Sequence, residues 1–108
     1  MYQDFSTRKT QSLDSFNKGL ALDAEGKTHE AIQSYREALT ICPEMAEAHY
    51  NLGLNLALVG KTTEAIRAWR RAVWLNTEYQ HQLIAAFDID VDIREAEIHV
   101  NQTIRGKQ

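Results

Sequence analysis

The chain has 108 residues, which is the length of one small domain. Its 44% hydrophobic and 25% charged residues are the balance of a folded globular protein and exclude an intrinsically disordered one. A formal net charge of −3 gives no support for nucleic acid or an anionic membrane as the partner.

An internal repeat of 34 residues occupies most of the chain. When Ser12–Pro43 is aligned with Ala46–Thr77, twelve of the 32 positions are identical, whereas about two would coincide by chance. The identical pairs include Gly19 with Gly53. The chain is therefore predicted to contain two copies of one structural unit.

Each repeat is predicted to contain two helices. In the first repeat, apolar residues recur at helical spacing until Gly26 interrupts the pattern. A second helix follows, for which Thr28 and, in the second repeat, Thr62 are the candidate N-caps. The predicted divisions are a flexible N-terminal segment over residues 1–11, a first repeat over residues 12–45 and a second repeat over residues 46–77.

Residues 78–108 depart from the repeat. Glu78–Phe87 has the position of a third repeat's first helix, with Leu83 at a packing position. The residues that follow are expected to form a different helix, with one apolar side made of Ile89, Ile93, Ala96, Val100 and Ile104. We expect these C-terminal helices to cap the last repeat, and the alternative is that the apolar side packs against a second copy of the chain.

The small and aromatic residues of the repeat resemble those of the tetratricopeptide repeat (TPR) family. The second repeat matches the family pattern at Leu52, Gly53, Gly60, Ala65, Trp69 and Ala72, and the first matches it at Gly19, Gly26, Ala31, Tyr35, Ala38 and Pro43. Ser15 and His49 depart from it where the family has its first large aromatic residue. The resemblance implies an all-α fold, an α-solenoid of two TPR helix-turn-helix repeats with C-terminal capping helices.

In TPR proteins the first helix of each repeat lines a concave groove that receives the ligand. Carried onto this chain, the resemblance assigns the groove to Phe16, Asn17, Leu20, Tyr50, Asn51 and Leu54. It implies a non-catalytic adaptor or scaffold that binds a peptide or helix of another protein. The two asparagines would either hydrogen-bond an extended peptide or only solvate the groove. In a further alternative, the C-terminal helix or a neighbouring chain fills it.

The carboxylate clamp with which some TPR proteins grip acidic chain termini is not expected here. Its three cationic positions are occupied by Phe16, His81 and Ala85, and only Asn51 matches the clamp pattern. Charge-assisted recognition of a terminal carboxylate would lack its cations.

A second candidate surface lies on the second helix of the second repeat. Arg67, Arg70, Arg71 and Trp74 fall within about 100° on one helix face. This surface is either an interaction hot spot or a solvated arginine face with the tryptophan folded onto the next helix. A candidate mate for it, in the same chain or in a second copy, is the acidic segment with Asp88, Asp90, Asp92, Glu95 and Glu97. One arginine stripe in a net-negative domain does not indicate nucleic-acid binding.

No motif for catalysis, metal binding or phosphate binding occurs in the sequence. The single cysteine, Cys42, excludes an internal disulfide and a multi-cysteine zinc site. We therefore expect no enzyme activity, no metal and no cofactor.

No apolar run has the length of a signal-peptide core or a membrane span, so we expect a soluble, cytoplasmic protein. The alternative function is a self-assembling structural module, such as a homodimer formed through the C-terminal helix or the Arg67–Trp74 face.

Overall fold

The computed structural model describes residues 5–90 and 99–100. Five helices follow one another, namely α1 (Phe5–Ala24), α2 (Thr28–Ile41), α3 (Ala46–Leu58), α4 (Thr62–Leu75) and α5 (Glu78–Phe87). Two short strands, β1 (Ile89–Asp90) and β2 (His99–Val100), pair antiparallel after α5. Helix α1 packs on α2, α3 packs on α4, and α2 joins the two pairs by packing on α3. The fold is the all-α helical-repeat solenoid that the sequence predicts.

Both repeats turn between their two helices through a glycine in the left-handed backbone conformation. The φ angle is +77° at Gly26 and +85° at Gly60. After the first of these turns, the Lys27 N–H donates a 2.9 Å hydrogen bond to the Leu22 carbonyl, and the equivalent bond in the second repeat measures 2.8 Å. This arrangement satisfies carbonyls at the end of the helix, and a side chain at either glycine would strain it.

Helices α2 and α4 begin one residue earlier than the threonine caps predicted. Thr28 and Thr62 are the first residues inside these helices, and the N-cap positions are occupied by Lys27 and Lys61. Neither lysine makes a side-chain capping hydrogen bond. The predicted threonine caps are therefore wrong, because the glycine turn brings the chain into the helix one residue sooner.

A large aromatic side chain fills the centre of each repeat. Tyr35 and Trp69 are buried against Gly19 and Gly53, and a Cβ atom at either glycine would lie under 3.0 Å from atoms of the ring. This close approach explains a glycine in mid-helix, where it costs about 1 kcal/mol relative to alanine. One continuous core surrounds the two rings, with contributions from all five helices that include Phe16, Ile32, Leu52, Leu56, Val73 and Leu83.

The N-terminal segment differs from the expectation. Helix α1 already begins at Phe5, so residues 5–11 are helical, and the prediction of a flexible segment over residues 1–11 is wrong for them. The reason is that residues 5–11 contain no glycine or proline, and nothing interrupts the helix before its first buried residue, Ser12. Ser12 fixes α1 to α2 through a 2.9 Å hydrogen bond from its Oγ to the Ala38 carbonyl. Residues 1–4 lie outside the described part.

The C-terminal segment also differs. Ile89 and Val100, expected on one side of a helix, are instead paired with each other across β1 and β2. The expectation of one helix through both residues is therefore wrong. Asp88 takes a left-handed conformation, with φ 57°, which ends α5 and allows an extended strand to follow. The other members of the expected apolar side, Ile93, Ala96 and Ile104, lie outside the described residues.

Candidate functional site

The six residues assigned to the groove do not share one surface. Phe16 is only 5% exposed, and its ring centroid lies 5.7 Å from that of Tyr35. Ser12, Phe16 and Gly19 recur at the spacing of one helix face, and all three are buried where α1 meets α2. Phe16 is therefore a core residue, and its assignment to the ligand groove is wrong.

The residues of α1 that face solvent form a separate stripe. Leu13, Asn17 and Leu20 recur at helical spacing and are all exposed, with 42% of Leu13 and 40% of Leu20 accessible. We call these three residues the α1 face. Two leucines on one exposed helix face present apolar surface, and burying that surface against a partner is favourable in free energy.

Tyr50 of α3 is held by α5. Its ring stacks on that of Tyr79 at a centroid distance of 4.8 Å, and burial raises the pKa of both hydroxyls. The Tyr50 carbonyl also accepts a 3.3 Å hydrogen bond from the indole Nε1–H of Trp69. Tyr79 is not among the residues predicted from the sequence. Its position one turn before the buried Leu83 was the signal that could have found it.

A carboxylate joins the two helices that carry the candidate groove. Asp23, near the end of α1, accepts a 2.5 Å hydrogen bond from the Tyr35 hydroxyl and a 2.7 Å hydrogen bond from the Asn55 amide of α3. Burial, together with the bond to Asp23, raises the pKa of Tyr35 above the ordinary tyrosine range. The Asn51 amide interacts with the same hydroxyl from α3.

This network sets α1 beside α3. Leu20 lies one turn before Asp23, and Leu54 immediately precedes Asn55. Leu54 and Asn51 are half-buried, and Leu54 packs against the core. Among the assigned groove residues, Leu20 of the α1 face is therefore the most exposed apolar side chain, and Asn51 and Leu54 lie on its α3 side.

The four residues assigned to the second surface do lie together. Arg67, Arg70, Arg71 and Trp74 line one shallow cavity of about 340 Å³ on the outside of α4. We call them the Arg–Trp face. Trp74 is 60% exposed, so it is not folded away onto α5. Aromatic and arginine side chains are over-represented among the residues that carry binding energy at protein interfaces.

A second cavity adjoins the Arg–Trp face and runs into the crevice between the repeats. It measures about 300 Å³ and shares Arg67 and Arg71 with the first cavity. Its other lining residues are Arg36, His49, Leu52, Leu56, Glu64 and Ala68. The two cavities form one continuous surface that is apolar at its base and cationic along α4.

His49 forms part of the crevice wall as a neutral side chain. Its ring N–H at Nε2 donates a 2.8 Å hydrogen bond to the Pro43 carbonyl. Burial is the main cause that lowers the pKa of His49; the hydrogen bond to the Pro43 carbonyl opposes this shift, and the nearby positive charge of Arg71 adds to it. The imidazole is therefore held in its neutral form at the turn between the repeats.

Residues 5–90 and 99–100 contain no group of three or more His, Cys, Asp or Glu side chains that could hold a metal ion. Within the same described residues, none of the helices combines the length and the apolar character that a membrane span requires. Cys42 is half-buried and, among the described residues, is a free thiol.

Comparison with known proteins identifies the repeat. The family model described as TPR repeat matches residues 19–59, from the buried glycine of α1 through the whole of α2 and α3. None of the curated proteins compared with the chain matches it.

Proposed function

Because the TPR repeat model matches residues 19–59, we propose that the chain is a non-catalytic adaptor or scaffold that binds a peptide or helix of another protein. TPR repeats in general mediate protein–protein interaction. The binding surface in this proposal is the α1 face, continued on α3 by Asn51 and Leu54. Tyr50, held by its stack on Tyr79, forms the wall toward α5.

The exposure of Leu13 and Leu20 is the observation that carries this proposal. Phe16, one turn from each leucine but turned toward α2, already supplies the apolar side chain that packs against Tyr35. The two leucines are therefore not needed in full for internal packing. Covering the exposed part of each would contribute about 1 kcal/mol to binding.

Polar groups beside the leucines suit a peptide ligand. Asn17 is exposed between Leu13 and Leu20, and its amide carries both a hydrogen-bond donor and an acceptor. Such amides match the alternating N–H and C=O groups of a peptide backbone. Asn51 is already engaged with Tyr35 and is more restricted than Asn17. The ligand is therefore proposed to follow α1 more closely than α3.

A paired substitution tests the groove. We expect Leu13→Glu with Leu20→Glu to abolish capture of the partner from cell lysate while helical circular dichroism is retained, because both side chains are exposed and the new charges oppose apolar contact. Leu58→Glu is the matched control, since Leu58 is an exposed leucine on α3 outside the assigned groove. A photo-crosslinker at position 17 should label the same partner. Capture that survives the double substitution would contradict the groove proposal.

Self-assembly is the second candidate function. Ile84 and Phe87 of α5 are exposed on neighbouring turns, although the Phe87 ring stacks on Trp69 at 5.8 Å. Another copy could cover this surface and continue the stack. Sedimentation of the 12.3 kDa chain from about 1 to about 200 μM distinguishes the two functions, because self-association follows mass action. A dimer that Ile84→Glu dissociates would support this second function, and a monomer throughout would contradict it.

A further inference from the structure

We propose that the Arg–Trp face (Arg67, Arg70, Arg71 and Trp74) together with the adjoining crevice between the repeats is a second docking site, and that its occupant is an acidic segment of a partner protein. It shares no lining residue with the α1 face. Its shape, its uncompensated charge and its contrast with the first repeat support this assignment.

The shape is that of an extended site rather than an isolated patch. Arg67 and Arg71 line both cavities, which together extend from Trp74 to the crevice floor at Leu52 and Leu56. The floor side chains are buried, whereas Arg67, Arg71 and Trp74 are exposed. A chain lying along α4 would contact apolar surface at one end of the site and an aromatic ring at the other.

The charges of two of its arginines, Arg67 and Arg71, are not compensated within the described part of the chain. Among the described residues that line the two cavities, Glu64 is the single carboxylate, and it already lies 3.6 Å from Arg36 and 4.0 Å from Lys61. Within the described part of the chain, no ion pair joins Arg67 or Arg71 to a carboxylate. Two exposed guanidinium groups with free donors are suited to bidentate pairing with carboxylates.

The contrast with the first repeat shows that packing does not require these residues. The positions equivalent to Arg67, Arg71 and Trp74 are Gln33, Glu37 and Thr40. The first repeat forms the same helix pair with that polar, acid-containing set. Arg70 alone has an arginine counterpart, Arg36, and that arginine is paired with Glu64.

An acidic peptide fits this site better than a nucleic acid does. The arginines occupy a single helix face of a chain whose net charge is −3, so the remainder of the surface would repel a long polyanion. The base of the crevice is apolar, which suits an apolar peptide side chain better than a nucleotide. The recognised segment should therefore combine several carboxylates with an apolar or aromatic residue.

Selection from a random peptide library displayed on phage tests the proposal directly, because the library samples acidic and non-acidic peptides alike. The wild-type chain should enrich peptides rich in Asp and Glu, and their synthetic forms should bind more weakly as salt is added. Arg67→Gln with Arg71→Gln should lower the affinity for these peptides by at least about tenfold, because each lost pair leaves a carboxylate unpaired. Trp74→Ala should lower their affinity as well. All three side chains are exposed, and circular dichroism should confirm that the variants are folded.

Lys9→Gln with Lys18→Gln is the matched control, since it removes the same number of exposed charges from α1. It should leave the affinity within about twofold, the change expected from long-range charge alone. Enrichment of non-acidic peptides, no enrichment, or equal weakening by the lysine control would overturn the proposal. Tighter binding of a single-stranded oligonucleotide than of any selected peptide would overturn it in favour of nucleic acid. A dimer that the arginine variant dissociates would assign the face to a second copy instead.

Discussion

The two repeats share their interior and differ on their surface. In each, a buried aromatic ring lies against a glycine of the preceding helix, Tyr35 against Gly19 and Trp69 against Gly53. Even here the polar ends of the rings differ. The Tyr35 hydroxyl donates to Asp23 and so links α1, α2 and α3, whereas the Trp69 indole donates to a carbonyl of its own repeat.

On the outer helices, α2 and α4, the exposed side chains differ in charge. The first repeat presents an arginine neutralised by a carboxylate of the next repeat, and the second presents the Arg–Trp face. Interior positions repeat because only certain side-chain volumes allow two helices to approach so closely. Surface positions have no such constraint, so they can differ between the repeats. Side chains at these positions can therefore determine which partner each repeat binds.

The two repeats are also covered by different helices, since α3 packs on the first and α5 packs on the second. We expect Leu83→Ala to lower the free energy of unfolding by about 2–5 kcal/mol, because Leu83 is fully buried in the common core. Urea unfolding measures this loss. Both tryptophans lie in α4, so fluorescence reports on the second repeat while circular dichroism reports on all helices.

The same experiment shows whether the two repeats unfold independently of each other. Coincident fluorescence and circular dichroism transitions would mean that the two repeats unfold as one, and an earlier fluorescence transition would mean that the second repeat unfolds alone. Leu58→Ala is the control at an exposed leucine and should change stability by less than about 0.5 kcal/mol. A Leu83→Ala effect no larger than that would refute the burial of α5.

Alanine at the paired glycines compares the interiors directly. We expect Gly19→Ala and Gly53→Ala each to destabilise by about 1–3 kcal/mol, because the new methyl group meets a buried ring. Gly53→Ala should lower the free energy of unfolding more than Gly19→Ala does, since the Trp69 ring is larger and is fixed by its hydrogen bond to the Tyr50 carbonyl. Thermal and urea unfolding measure both.

Lys18→Ala, at the exposed position before Gly19, is the control and should leave stability unchanged or raise it slightly. A stabilising effect of alanine at either glycine would show that the ring can move aside.

The smallest expected effect is a pH dependence that belongs to the second repeat alone. His49 occupies the position of Ser15 in the first repeat. Burial lowers the folded-state pKa of His49 below its ordinary 6.5, so the unfolded chain takes up a proton first as the pH falls. The contribution of neutral His49 to the free energy of unfolding is therefore fully present above about pH 6.5 and is lost as the pH falls toward the lowered pKa.

Unfolding measured between about pH 7.5 and about pH 5.5, the interval in which an ordinary histidine titrates, should show this decline in the wild type. His49→Gln should reduce the decline, and His29→Gln, at an exposed position of α2, should not. An identical pH profile for wild type and His49→Gln would contradict the assignment.

Much of this architecture follows from local sequence. The glycines at the turns, the 34-residue spacing and the Gly–aromatic pairs predict helix pairs, because turn conformation and close helix approach restrict residue choice at individual positions. The clustering of Arg67, Arg70, Arg71 and Trp74 also follows from spacing along one helix. Helical periodicity places them on one face whatever the neighbouring elements do.

Other features depended on contacts between elements. Helical periodicity does not distinguish Phe16 from Leu20 as groove residues. The packing of α1 on α2 buries Phe16 and leaves Leu20 exposed. The strand pairing brings Ile89 and Val100 into direct contact, whereas the helical spacing of the sequence would put them on one side of a helix three turns apart. The carboxylate of Asp23 finds its partners on two other helices. Local conformational preference is thus enough to specify the repeat and its helices from the residues alone. Which side chains reach solvent is specified only when the helices pack, because exposure depends on contacts between distant segments.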